Sequence, residues 1–172
     1  MKKKYGVLMS NYKCNIIALE WNFKKIPHPK NLDEAKTEMM KNNSGVYVFE
    51  GCHDSRPEGG ILYIGQSKEI VSRLDKSSLR IIWRENGELG FFADVWDITL
   101  RWAVIEEKSV KAVESVLIRA HAPSFNSKEI RNVIPSDNEA KNLIIFNDGV
   151  KGRLLPIVAG HYFDNEFWKG FG

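Results

Sequence analysis

The chain has little that would staple, anchor or lengthen it. Only two of its 172 residues are cysteines, Cys14 and Cys52. Two are too few for a disulfide framework and lack zinc-site spacing, so reduced thiols in a cytosolic protein are expected. No apolar run approaches the roughly 20 residues that span a bilayer as a helix. The basic start Met1-Lys2-Lys3-Lys4-Tyr5 is interrupted by polar Ser10-Asn11-Tyr12-Lys13, so no secretory h-region forms. These absences predict a soluble, cytoplasmic protein. There is no internal repeat, no low-complexity tract and no Pro/Gly/Ser-rich linker, which predicts a single domain over residues 1–172. Charge of one sign is scarce as well. With 25 Lys+Arg against 22 Asp+Glu the net charge is +3, compatible with a nucleic-acid partner without demanding one.

Hydrophobic residues make up 43% of the chain, enough for a core at this length. Two apolar runs stand out, Gly45-Val46-Tyr47-Val48-Phe49 and Ile61-Leu62-Tyr63-Ile64-Gly65. Strict alternation puts Tyr47 and Phe49 on one face of the first, and Ile61, Tyr63 and Gly65 on one face of the second. The turn-rich segment 51–60 between them predicts a hairpin with a long loop, carrying His53, Asp54 and Arg56 as solvated residues that could also touch DNA. Paired in this way, the two tyrosines can lie side by side. A helix is predicted from near Ser67, with Ile70, Val71 and Leu74 buried and Arg73 on its flank. Ile98 to Ile105 reads as a third strand, apolar residues alternating with Thr99, Arg101 and Ala103. Ser109 is placed as the cap of a second helix with Val110, Val113, Val116 and Leu117 on its apolar face and Glu114 beside that face.

Outside this region the pattern is thinner. Ile16 to Trp21 fits a strand or a short helix, ended by Pro27-His28-Pro29. A helix is predicted from Asn31 through about Lys41, with Leu32, Ala35 and Met39 on one face. Leu143 to Phe146 and Arg153 to Val158 suggest strands around the turn Asn147-Asp148-Gly149. The tail from His161 to Trp168 is dense in aromatics and fits a dimer interface.

The order of parts between Gly45 and Asn126 resembles the GIY-YIG nuclease superfamily. The two name motifs stand as Gly45-Val46-Tyr47 and Tyr63-Ile64-Gly65. The family's helix arginine falls on Arg73, its helix glutamate on Glu114 and its closing asparagine on Asn126, in Pro123-Ser124-Phe125-Asn126. Five ordered elements over about half the chain are far more specific than one tripeptide. The fold implied is α/β (α+β): a small, mainly antiparallel three-stranded sheet flanked by helices over residues 45–126. Residues 1–44 and 127–172 are then elaborations for DNA recognition and dimerisation. Two departures stand out. The loop at 51–60 is longer than in most members. Where many members carry His, Tyr or Lys one turn after the arginine, this chain has Ser77 preceded by Lys76, which can share the face of Arg73.

Hydrolysis of a phosphodiester requires a base for the water, neutralisation of charge on phosphorus and help for the leaving oxygen, all in line. A single carboxylate, Glu114, can hold one Mg²⁺ (Mn²⁺ able to substitute), which keeps several waters and binds a phosphate oxygen. Arg73 can fork onto the phosphate. A free tyrosine, with a pKa of about 10, is a poor base, but a neighbouring cation makes its phenolate accessible. The resemblance agrees: it implies one metal on Glu114, Arg73 on the phosphate, the tyrosines around the attacking water and Asn126 in a positioning role. Of the two tyrosines, Tyr63 is favoured as base and Tyr47 as its orienting partner. Lys76 is a candidate second cation.

Taken singly, Tyr47 and Tyr63 would be core residues, and Asn126 a turn residue; the ordered set argues for the site. The layout resembles the superfamily's small type II restriction endonucleases, which implies double-stranded DNA with a short symmetric site and a homodimer with one active site per strand. A cognate DNA methyltransferase is then a genetic rather than a physical partner. The alternatives are a GIY-YIG DNA repair or homing-type nuclease domain, and a non-catalytic DNA-binding module.

Overall fold

The computed structural model describes residues 15–26, 30–39, 43–53, 56–75, 95–126 and 138–160. In chain order the elements are β1 (Asn15–Lys25), α1 (Lys30–Glu38), β2 (Gly45–His53), β3 (Arg56–Ser67), α2 (Ile70–Asp75), β4 (Val95–Val104), α3 (Val110–His121), α4 (Asn138–Lys141), β5 (Leu143–Gly149) and β6 (Ile157–Ala159). They form a mixed α/β fold around one six-stranded sheet in the order β3-β2-β4-β1-β5-β6. Every neighbouring pair is antiparallel except β1 and β5.

The expected three-stranded sheet is therefore too small. Strands β3, β2 and β4 are present, but β4 is not an edge. Residues 22–25 of β1 pair with 99–102 of β4, and β1 pairs in parallel with β5 from Asn15↔Leu143 to Trp21↔Gly149. The physical reason lies in the apolar runs Ile16–Leu19 and Leu143–Phe146. Leu19, Leu143 and Ile145 of these runs are buried in the core shared with α3, with Ile17 packed against it, and that burial favours adding β1 and β5 to the sheet.

β2 is rich in β-branched and aromatic residues, which fit a pleated surface, and is buried from Gly45 through Gly51. Its two faces feed two cores. Val46 and Val48 pack with Val113, Val116 and Leu117 of α3. Tyr47 and Phe49 pack with Ile70 and Leu74 of α2, Ala35 of α1, and Leu100 and Trp102 of β4. Helices thus cover both faces of the core strands, and β3 is left at the sheet's edge.

The 51–60 segment is also less loop-like than expected. β2 runs to His53 and β3 begins at Arg56, with Gly51↔Gly60 and His53↔Arg56 paired. The glycines of this stretch continue the ladder through register shifts rather than ending it. His53 sets its ring edge-to-face against Phe125, centroids 5.9 Å apart; Asp54 lies outside the described residues. A bulge between Phe49 and Glu50, opposite Tyr63 and Ile61, changes the second predicted face. Its extra residue, Leu62, joins the core of Tyr63, while Ile61 turns to the α3 side.

The helix predicted from near Ser67 begins later than expected. Ser67 forms a turn in which its hydroxyl accepts from the Glu69 N–H at 3.0 Å, and α2 follows from Ile70. Ser109 stands at the N-cap of α3 but makes no capping hydrogen bond; a short 3₁₀ turn, Glu107–Ser109, leads into the helix instead. α3 ends at Ala122 in a left-handed conformation, φ 43°, just before Pro123, with the Ala122 N–H on the Ile118 carbonyl at 2.8 Å.

Among the described residues one charged pair lies inside the protein. Glu50 on β2 and Arg101 on β4 are both buried; Arg101 Nε donates to Glu50 Oε2 at 2.9 Å, and the Arg153 N–H donates to Glu50 Oε1 at 2.8 Å. Arg101 Nη1 donates to the Val150 carbonyl, and Arg153 Nη2 to that of Glu58 at 2.7 Å. The pair thereby ties the β5–β6 connection across the core sheet, and its charges are compensated as buried charges must be. Among the described residues no helix is long and apolar enough to cross a membrane.

Candidate active site

The open edge of β3 is where the predicted site residues meet. Tyr47 pairs with Gly65 and Phe49 with Tyr63 across the β2–β3 ladder, so the two tyrosines are diagonal neighbours on one face. Their ring centroids lie 6.1 Å apart with planes inclined by 32°. Phe49 meets Tyr47 edge-on at 6.2 Å. Both motif glycines are explained by close approach. A Cβ on Gly65 would sit 2.5 Å from the Tyr47 hydroxyl oxygen and 2.8 Å from a Tyr63 ring carbon. A Cβ on Gly45 would overlap the Ala103 carbonyl and crowd Ile70 of α2.

Arg73 comes from α2 on the tyrosine face, and Glu114 from α3 on the opposite face. They reach one groove around the β3 edge. The groove has a volume of about 760 Å³ and is lined by Tyr63, Gln66, Arg73, Lys111 and Glu114, among others. The Arg73 guanidinium neighbours the Tyr47 hydroxyl and, with less influence, Tyr63, and both push its pKa up. Tyr47 itself is 1% exposed. Burial pushes its hydroxyl well above the usual tyrosine range, the neighbouring Tyr63 pushes the same way, and Arg73 opposes both.

Glu114 is half-buried. Burial pushes its carboxyl up to about 7, against the opposing influence of Arg73 and of the Gln66 backbone N–H. That N–H belongs to the unpaired edge of β3, so an edge donor is directed to the carboxylate. Sequence reasoning missed Gln66 because the contact is made by its backbone.

Asn126 stands behind the groove. Its Oδ1 accepts from the Ile64 N–H at 3.0 Å and its Nδ2 donates to the Ile64 carbonyl at 2.9 Å. The Phe125 N–H donates to the Leu62 carbonyl at 2.8 Å. Residues 125–126 therefore close the outer edge of β3 up to Ile64, as another strand would, and leave it open from Gly65 onward. Asn126 fixes the strand between Tyr63 and Gly65. Lys76 lies outside the described residues.

The structure thus brings Tyr47, Tyr63, Arg73 and Glu114 together and puts Asn126 in a supporting position. Lys111, also in the groove, carried no sequence signal beyond its spacing, three residues before Glu114. Comparison with family models, with curated proteins and with solved structures finds no match for the chain.

Proposed function

We propose that the protein is a Mg²⁺-dependent endodeoxyribonuclease of the GIY-YIG kind, acting on a phosphodiester laid in the groove across the β3 edge. The observation that carries this reading is the convergence of Tyr63, Arg73 and Glu114, with Tyr47 behind them, from elements on both faces of the sheet. Charge neutralisation and proton transfer must meet at one phosphate, and these groups supply both.

The donor set fits one metal held by one carboxylate. Among the described residues no three His, Cys, Asp or Glu side chains gather as a cage, whereas Mg²⁺ keeps most of its waters and needs only one or two carboxylates. Glu114 would hold it; a carboxyl raised to about 7 by burial is one that a cation's charge would relieve. When bound, Mg²⁺ supplies Lewis-acid stabilisation of charge on the phosphate oxygens. Arg73 grips a further phosphate oxygen through its planar fork. Tyr63 faces the groove and takes the proton of the attacking water. Tyr47, buried and held protonated, fixes Arg73 and the Tyr63 ring in place.

The finer reading is a homodimeric type II restriction endonuclease that cuts both strands of a short symmetric site in double-stranded DNA. It is supported by the apolar outer face of β1, β5 and β6, where Ile16 is 66%, Phe146 39% and Ile157 55% exposed. Such a patch on strands outside the core suits a contact with a second copy. The test is incubation of the purified protein with Mg²⁺ and a plasmid of known sequence. Discrete fragments are expected. A smear would remove the site-specific reading, and no cutting would remove the nuclease reading in favour of a DNA-binding module.

A further inference from the structure

We propose that Lys111 binds the backbone phosphate next to the scissile one, so that the groove takes a polynucleotide strand by two successive phosphates, one at Arg73 and one at Lys111. The inference rests on the nuclease reading of the same groove. Among the described residues four cationic side chains line that groove: Lys68, Arg73, Lys108 and Lys111. Two of them are ion-paired, Lys68 with Glu107 and Lys108 with Glu106 at 2.7 Å, and Arg73 is assigned to the scissile phosphate. Lys111 is exposed and has no ion pair or hydrogen bond among the described residues.

Its place on α3 gives it a direction of use. Lys111 lies three residues before Glu114, and side chains so spaced are neighbours on one helix face, their Cβ atoms about 5–6 Å apart. Lys111 nevertheless makes no ion pair with Glu114, whose carboxyl feels the charge of Arg73 on α2. An exposed ammonium one helical turn from the carboxylate, in the same groove, is therefore available to an anion that extends past the reacting centre. In a nucleic acid that anion is the neighbouring phosphate. Lysine suits it as a mobile point charge that contacts phosphate without reading sequence.

The experiment measures equilibrium binding of the full chain, without divalent metal, to a labelled duplex containing the bond cut in the plasmid assay. Each affinity is followed against salt concentration. Lys111→Ala is expected to weaken binding about tenfold at low salt, as loss of one charge-assisted hydrogen bond would. It should also reduce the slope of log affinity against log salt by about 0.9, the signature of one phosphate contact. Lys111→Arg should restore the slope. A neutral methylphosphonate at the phosphate beside the cut should weaken the wild type by the same factor and leave Lys111→Ala unaffected, because the partner is already gone. An unchanged slope in Lys111→Ala, or methylphosphonate and alanine effects that simply add, would overturn the assignment while leaving the nuclease reading intact. Failure of the wild type to bind the duplex at all would overturn both.

Discussion

Gly65 stands opposite Tyr47 in the β2–β3 ladder, and a Cβ on it would come within 2.5 Å of the Tyr47 hydroxyl oxygen. Tyr47 is buried, with the rings of Phe49 and Tyr63 beside it. Gly65→Ala should therefore cost about 1–3 kcal/mol of stability through overpacking. It should also lower cleavage on the order of a hundredfold by displacing the tyrosines from the phosphate. Urea unfolding and single-turnover cleavage check the two effects separately; an alanine variant with wild-type activity would mean that the tyrosine pair does not need this geometry.

Asn126 holds both main-chain groups of Ile64, a residue fully buried in the sheet. Asn126→Ala leaves an N–H and a carbonyl unpaired, each costing about 1–3 kcal/mol. Asn126→Asp should restore only half of this, since a carboxylate can accept from the N–H but cannot donate to the carbonyl. Thermal melts of the two variants should rank wild type above Asp and Asp above Ala, with cleavage falling in the same order.

The Glu50–Arg101 pair predicts an asymmetric double-mutant cycle. Arg101→Met leaves a buried carboxylate without its cation, worth about 3–5 kcal/mol of lost stability. The double variant Glu50→Met/Arg101→Met should lose less than Arg101→Met alone, because no uncompensated charge remains. Denaturant midpoints of the four proteins test this.

Glu114 makes a pH-dependent prediction with a definite sign. Its folded-state pKa, about 7, lies above the ordinary 4.5 because burial disfavours the carboxylate. The folded state then binds more protons than the unfolded one between pH 4.5 and 7, so this group lowers stability as pH rises through that window. Glu114→Gln should be more stable than wild type above pH 7 and equal to it below about pH 4.5. Mg²⁺ should raise the melting temperature of wild type above pH 7 and leave Glu114→Gln unchanged. A glutamine variant that gains the same stabilisation from Mg²⁺ would move the metal away from Glu114.

Several of these features were legible in the residue pattern. The runs at 45–49 and 61–65 gave β2 and β3, and the 3.6-residue spacing of Val110, Val113, Val116 and Leu117 gave α3. The full width of the sheet was not. Ile16–Leu19 carries no alternation, so strand and helix could not be told apart, and nothing local announces its parallel partner at Leu143–Phe146. The bulge at Leu62 was hidden because alternation counts residues and cannot see an extra one. Arg101 alternates with apolar residues in its strand, and nothing local shows that it is buried against Glu50; the partners that compensate the pair, the Val150 carbonyl and the Arg153 N–H, lie about fifty residues beyond Arg101. The convergence of Arg73 and Glu114 around the β3 edge likewise depends on two helices packing on opposite faces.

The central claim is that Tyr63 and Glu114 work together on one phosphodiester in the groove over β3. Single-turnover cleavage of a labelled duplex with Mg²⁺, for wild type, Tyr63→Phe, Tyr47→Phe and Glu114→Gln, tests it most directly. The wild-type rate should rise with pH and then level. Tyr63→Phe, which keeps the ring but loses the hydroxyl, should fall about 10²–10⁴-fold, as removal of a general base does. Tyr47→Phe should fall less, Glu114→Gln should be inactive, and all should bind the duplex nearly as well as wild type. A Tyr63→Phe protein with the wild-type rate and pH profile, or a Glu114→Gln protein that still cuts, would contradict the account.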